Sequence, residues 1–159
     1  MIGVGEKGVM TLTLSARGEG GHASAPPSLT AVRRVARAVN RLGPRTFRPR
    51  PSKAIGRMLS KLGAQTPGPA RHLLRLLGSA PLLTGQLFAA LGGEPAALVR
   101  TTVAPTMQSG GTAANVLPSQ ASATVNLRIA LGETTQQTVL RVRRRIRDPL
   151  VTVLSLIHI

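Results

Sequence analysis

Residues 18–27 read GEGGHASAPP, three glycines, one histidine and two prolines in a row of ten. Such a run separates two regular elements, and each neighbour declares its kind. Before it, Val9 to Ala16 (VMTLTLSA) alternates: Met10, Leu12, Leu14 and Ala16 fall on one face, and Val9, Thr11, Thr13 and Ser15 on the other. That is the pattern of a half-buried strand. After it, Val32, Val35, Ala36 and Val39 recur at i, i+3, i+4 and i+7, opposite Arg33, Arg34, Arg37 and Arg41. That spacing predicts an amphipathic helix, started by a Ser28 or Thr30 cap and ended at Gly43-Pro44.

Further along, residues 44–97 change character. Pro, Gly and Arg punctuate three apolar segments, at Ile55–Leu62, His72–Leu77 and Leu82–Leu91, and the first has Ile55, Met58, Leu59 and Leu62 at helical spacing. This stretch is predicted to be a helical insertion. Strand patterning returns at Leu98–Met107, where Pro105 removes a ladder donor and predicts an edge position. It returns again at Ala121–Ile129, where Ala121, Ala123, Val125, Leu127 and Ile129 share a face. Thr134 and Gln137 have capping-box spacing ahead of a helix with a Val139, Val142, Ile146 stripe, which stops at Asp148-Pro149. LVTV, residues 150–153, begins a last strand. The expected fold class is α+β: a βαββαβ two-layer sandwich, with two helices on one face of a four-stranded antiparallel sheet whose first and third strands are central.

Composition sets limits on function. The chain has 159 residues, 21 Lys and Arg against five acids, and no cysteine. No disulfide framework or thiolate metal site is open to it, and the compartment is left undetermined, with the cytoplasm the default. No apolar run reaches the roughly 18–20 residues that would cross a bilayer. The +16 formal charge raises the question of an anionic partner, but 18 of the 21 cations are arginines spread from Arg17 to Arg147.

Three segments then combine. EKGVMTLTLSARGEGGHASAPP, GGTAANVLPSQASATVNLRI and the GET before a helix resemble the lid, or dimerisation, domain of the co-catalytic zinc amidohydrolases that include aminoacylases and glutamate carboxypeptidases. With the helical insert, ALVRTT and NVLP, the chain is most similar to their Gly-X carboxypeptidase and N-fatty-acyl-amino-acid hydrolase branch. The resemblance covers residues 6–153.

It implies roles for named residues. The GH histidine, His22, would project from the lid into a catalytic cleft, commonly the partner subunit's, and help stabilise the oxyanion formed at an amide carbonyl. Asn115, in NVLP, would add an amide near the substrate, although asparagine in such a loop is often a turn former that satisfies its own backbone. Arg128, on the polar face of a central strand, would grip a substrate carboxylate, a task that suits a planar guanidinium, or would simply extend into solvent. Gly110 and Gly111 would admit substrate close to the backbone, or form a plain turn. His72 stands without a second ligand at metal spacing and reads as a helix-surface residue.

The same resemblance implies two zinc ions in a separate catalytic domain. Their ligands are not in this chain, whose only acids are Glu6, Glu19, Glu94, Glu133 and Asp148. The expectation is a fragment, inactive alone, of an enzyme acting on N-acyl amino acids or short peptides with a free carboxylate. That fragment would pair with the missing catalytic domain of the same polypeptide and could form a homodimer through a sheet edge. The final LSLIHI, residues 154–159, is what CTG TCT CTT ATA CAC ATC encodes, which resembles a transposon-adaptor end used in sequencing libraries. This segment, with His158, is expected to be an artefact, and Met1 an internal start. Two other readings have a basis: a basic nucleic-acid-binding module of the same βαββαβ architecture, which also serves RNA recognition, and a purely structural association domain. The first needs aromatics on the central strands, and Phe47 and Phe88 fall outside them.

Overall fold

The computed structural model describes residues 7–156; Met1, Glu6 and residues 157–159, His158 included, lie outside the described residues. In chain order the elements are β1 (Gly8–Arg17), β2 (Gly21–His22), α1 (Ala31–Arg41), α2 (Lys53–Gln65), α3 (Ala70–Ser79), α4 (Pro81–Leu91), α5 (Gly93–Val99), β3 (Thr102–Ser109), β4 (Val116–Leu117), β5 (Gln120–Ile129), α6 (Thr135–Ile146) and β6 (Val151–Leu156). They form two compact units. Among the described residues, one comprises Gly8–Thr46, Val103–Ile129 and residues 133–156; the other comprises Lys7, Phe47–Thr102 and Ala130–Gly132.

The first unit is the expected sandwich. Its four-stranded sheet has the order β3-β5-β1-β6, with β1 and β5 central and β3 at an edge. β1 pairs antiparallel with β5 from Gly8↔Ile129 to Arg17↔Gln120, and with β6 from Thr11↔Leu156 to Ala16↔Val151. That register aligns Met10, Leu12, Leu14 and Ala16 with Leu127, Val125, Ala123 and Ala121, and all eight are buried. The opposite face carries Thr11, Thr13, Ser15, Ser122, Thr124, Asn126 and the exposed Arg128. Alternation fixes this partition, because a one-residue slip would turn the apolar set outward.

Both helices start as predicted. The Thr30 hydroxyl accepts from Arg33 N at 3.2 Å, and Thr134 with Gln137 makes the full capping box. Their buried stripes differ from the prediction. α1 buries Ala31, Val35 and Ala38, and α6 buries Thr138, Val142 and Ile146, so Ala36 is exposed and Val32, Val39 and Val139 are only half-buried. The reason lies in a non-local pair: Arg34 forms a two-oxygen contact with Asp148 at 3.0 and 3.1 Å, which holds this arginine against the α6–β6 connection. Small alanines then face the sheet. The arginines of α6 are also more than a solvated face, since Arg143 donates to Val153 O and Arg145 to Arg41 O, while Arg41 donates to Ile146 O. Each satisfies a carbonyl that a helix end or strand leaves free.

The second unit is helical, and it has a fourth helix where strand was expected. Leu98 and Val99 end α5, and β3 starts only at Thr102 and runs to Ser109. β-branched residues at Val99, Thr101 and Thr102 give the sequence a strand appearance, but Glu94 and Pro95 in the first turn favour a helix start. Val99 is fully buried, and its carbonyl accepts from Arg50 N. Among the described residues no single helix is long and apolar enough to cross a membrane.

Candidate functional site

The glycine-rich run is paired with a second segment of the chain. Its residues Gly21 and His22 form β2, which pairs antiparallel with Val116 and Leu117 of β4 (Gly21↔Leu117, His22↔Val116). Flanking bonds continue the ladder in both directions, Gly18 N to Ser119 O at 2.9 Å and Ala23 N to Asn115 O at 3.0 Å. The main sheet ends at Arg17↔Gln120, so Gly18 opposite Ser119 is simply the next rung. Between that rung and Gly21↔Leu117 the first strand takes three steps while the second takes two. One extra residue is therefore inserted at Glu19-Gly20, which is a β-bulge, a device that bends a ladder and re-aims the side chains beyond it.

The result is a two-stranded finger extending the β1–β5 ladder. It sets His22 and Asn115 one rung apart, and both are exposed. Among the described residues neither side chain makes a hydrogen bond. The turn-former reading of Asn115 required its amide to bond its own backbone, and no such bond occurs among the described residues. The donors and acceptors of both side chains are available to a ligand.

Gly111 is needed where it stands, with φ at +83° in the left-handed region and Pro118 packed 3.5 Å from the position a Cβ would take. At Gly110 a Cβ would come within 2.9 Å of both Ala121 and Val32 side chains. These glycines therefore close the finger onto β5 and α1. Gly111→Ala is expected to destabilise the fold by about 1–2 kcal/mol. Chemical denaturation checks this, and an unchanged midpoint contradicts it.

Arg128 sits elsewhere on the same strand. It is exposed on the helix-free face and pairs with Val9, eight residues from the Gln120 end where the finger begins. At about 3.3 Å per residue that is about 26 Å along β5. Backbone pairing thus sets His22 and Asn115 on adjacent rungs, His22 sharing its rung with Val116, and Arg128 lies at the far end of the sheet. His72 is exposed on α3. No group of three His, Cys, Asp or Glu that could hold a metal occurs among the described residues.

Sequence reading missed the finger itself. Two paired residues on each side are too few for a periodicity, and their partners are about a hundred positions apart. The available signal was the similar spacing of GH, three residues after β1, and VL, two residues before β5.

The sequence profile of the peptidase dimerisation domain (M20_dimer) matches residues 4–153. The chain is 37% identical over 144 residues to the N-fatty-acyl-amino acid synthase/hydrolase PM20D1 of Homo sapiens, covering 86% of this chain and 27% of that protein. It is 33% identical over 161 residues to a probable carboxypeptidase S-like 2 of Dictyostelium discoideum, covering 99% of this chain and 30% of the relative. Its fold resembles that of an M20 family metallo-carboxypeptidase of Sulfolobus solfataricus, with a TM-score of 0.56 at 12% identity over 96% of this chain and 43% of the other. The chain spans about a third or less of the length of these curated relatives. On the profile match and these identities together, the chain belongs to the M20 peptidase dimerisation-domain family.

Proposed function

We propose that this chain is the lid of a metal-dependent amide hydrolase that cleaves N-acyl amino acids or short peptides, and that the chemistry is housed in a catalytic domain the chain does not include. The observation that carries this reading is the bulged finger, which presents an unbonded imidazole and an unbonded carboxamide at neighbouring rungs. A backbone pinned by ladder pairing, with side-chain donors not already spent on the protein, suits the stabilisation of charge that appears only in the transition state. In this role His22 donates a hydrogen bond to the carbonyl oxygen of the scissile amide as it becomes negative, Asn115 adds an amide near the substrate, and the substrate carboxylate is held by Arg128 of a second copy of the chain, because about 26 Å of β5 separates Arg128 from the finger within one copy.

The donor set of this chain does not fit a metal. Five acids are scattered along it, and none of the described ones forms a ligand cluster. Zinc, in this reading two ions, belongs to the catalytic domain, and the chain alone is inactive. The relatives' names support the substrate class: hydrolysis of N-fatty-acyl amino acids for one, carboxypeptidase-like action for the other. Homodimerisation through the sheet is supported by the family description and by β3, which is exposed from Ala104 to Ser109 and lies at an edge. Pro105 removes only one donor from that edge. The RNA-binding reading is not favoured: Phe47 is buried, Phe88 lies in α4, and the helix-free sheet face offers hydroxyls instead of rings on which bases could stack.

The carboxylate role has a direct test. In the parent enzyme an N-acyl amino acid is expected to be cleaved well and its methyl ester poorly, and Arg128→Gln is expected to remove that discrimination by raising KM for the acid about tenfold or more. Equal turnover of acid and ester by the unmodified enzyme contradicts the assignment of Arg128.

A further inference from the structure

The helical unit contains a helix of inverted polarity. α4 (PLLTGQLFAAL) carries no charged residue; it buries Thr84 and Gly85 and leaves Leu82, Leu83, Leu87 and Leu91 exposed, with Gln86 its only exposed polar side chain. A helix that faces water does the reverse and turns its leucines inward. Leu83, Leu87 and Leu91 stand at i, i+4 and i+8 and therefore form one outward stripe. On α3 the exposed apolar pair is Leu73 and Leu76, three residues apart.

Shape and charge both point to a lipid surface as the occupant. Joined end to end, α3 and α4 have the length and apolarity of a membrane span, but they bend by 110° where they meet. A corner of that kind does not cross a bilayer as one rod, whereas it can enter the interface. Its tip suits such entry: Ala80 N donates to Leu76 O, Pro81 has no N–H, and Leu82 is 82% exposed. Neither Ala80 nor Pro81 brings a bare N–H into an apolar phase, where it would be costly. Around the corner the charge is one-sided, since residues 47–102 hold eight Lys and Arg and a single acid, Glu94. Lys53, Arg57 and Lys61 on α2 and Arg71 and Arg75 on α3 are exposed, and among the described residues none has an ion-pair partner. A second copy of this unit would set like charge against like charge. An anionic lipid surface offers hydrocarbon to the leucines and phosphates to the cations, whose long stems let them reach back to the headgroups.

We infer that the α3–α4 corner docks this chain on an anionic lipid surface, lying in the headgroup region without spanning the bilayer. The inference goes beyond the proposed lid function, because it concerns the helical unit alone, invokes neither His22 nor catalysis, and is read by partition instead of turnover.

The test is co-sedimentation of the 159-residue chain with vesicles of equimolar phosphatidylglycerol and phosphatidylcholine, beside vesicles of phosphatidylcholine alone. Partition into the anionic vesicles is expected to be stronger by about tenfold or more, and to fall as salt is raised. The Leu83→Gln/Leu87→Gln pair should lose about tenfold, while Leu83→Met/Leu87→Met, which keeps the apolar surface, should stay within about threefold. Arg71→Gln/Arg75→Gln should also lose about tenfold. All four positions are exposed, and circular dichroism checks that the variants keep their fold. The parent enzyme should bind the same vesicles with the same dependence on the leucines. Four results would each overturn the inference. They are no binding to anionic vesicles; full binding by the Leu→Gln pair, which would be adsorption of charge alone, as to any polyanion such as duplex DNA; self-association through these leucines in place of vesicle binding; or binding by the chain but not by the parent enzyme, which would make the corner a contact with the catalytic domain.

Discussion

Replacing His22 by Ala in the parent enzyme is expected to lower kcat by about 10²–10³, equivalent to about 3–4 kcal/mol of lost transition-state stabilisation, while KM changes little. The sign of the split follows from when the contact forms. A carbonyl oxygen in the ground state needs little from the imidazole, and an oxyanion needs much more, so the loss appears in turnover. The fold should tolerate the change. His22 is exposed, its side chain bonds nothing among the described residues, and the finger is held by backbone pairing that alanine preserves. Stability should therefore move by less than about 0.5 kcal/mol. Steady-state kinetics with denaturation on the same preparations separates the cases: unchanged kcat, or a KM effect alone, contradicts the role given to the ring.

The second large effect concerns stability. Leu12→Ala is expected to destabilise the sheet unit by about 3–5 kcal/mol, a transfer loss plus the cavity left in a packed interior. Leu12 is 0% exposed and lies on the central strand, opposite Val125 of β5 and Ser155 of β6. Neither neighbouring strand can move in without breaking its own ladder. A single domain commonly has about 5–15 kcal/mol in all, so this loss brings the unit close to unfolding at room temperature. Thr13→Ala, one residue on but on the helix-free face, should cost under about 1 kcal/mol. Urea denaturation of the two variants checks the contrast, and similar midpoints would mean that the buried and open faces have been assigned wrongly.

Where side-chain period and local capping decide the structure, the sequence was a sufficient guide. β1 and β5 alternate without interruption, Thr30 and Thr134 cap within three residues, and Pro105 marks the edge, so the sandwich and its strand order could be read directly. Where a distant partner decides, it was not. The stripes of α1 and α6 are rotated from the valine-rich prediction because Arg34 is tied to Asp148, more than a hundred residues away. Small Ala31 and Ala38 then approach the sheet in place of Val32 and Val39. Leu98–Thr101 was misread because strand propensity is weak beside the helix start at Glu94-Pro95. At the candidate site, His22, Asn115 and Arg128 were singled out from the sequence. That the first two stand on adjacent rungs, with Arg128 at the other end of β5, emerged only from the Gly18–Ser119 and Ala23–Asn115 bonds that build the finger.

In the proposed function the finger carries His22 to a reacting carbonyl located on another domain or subunit. Its most direct test is a structure of the parent enzyme bound to a tetrahedral transition-state analogue. An imidazole nitrogen of His22 is expected within about 2.7–3.2 Å of the analogue's anionic oxygen. An imidazole turned into its own lid, or separated from that oxygen by a water layer, would contradict it.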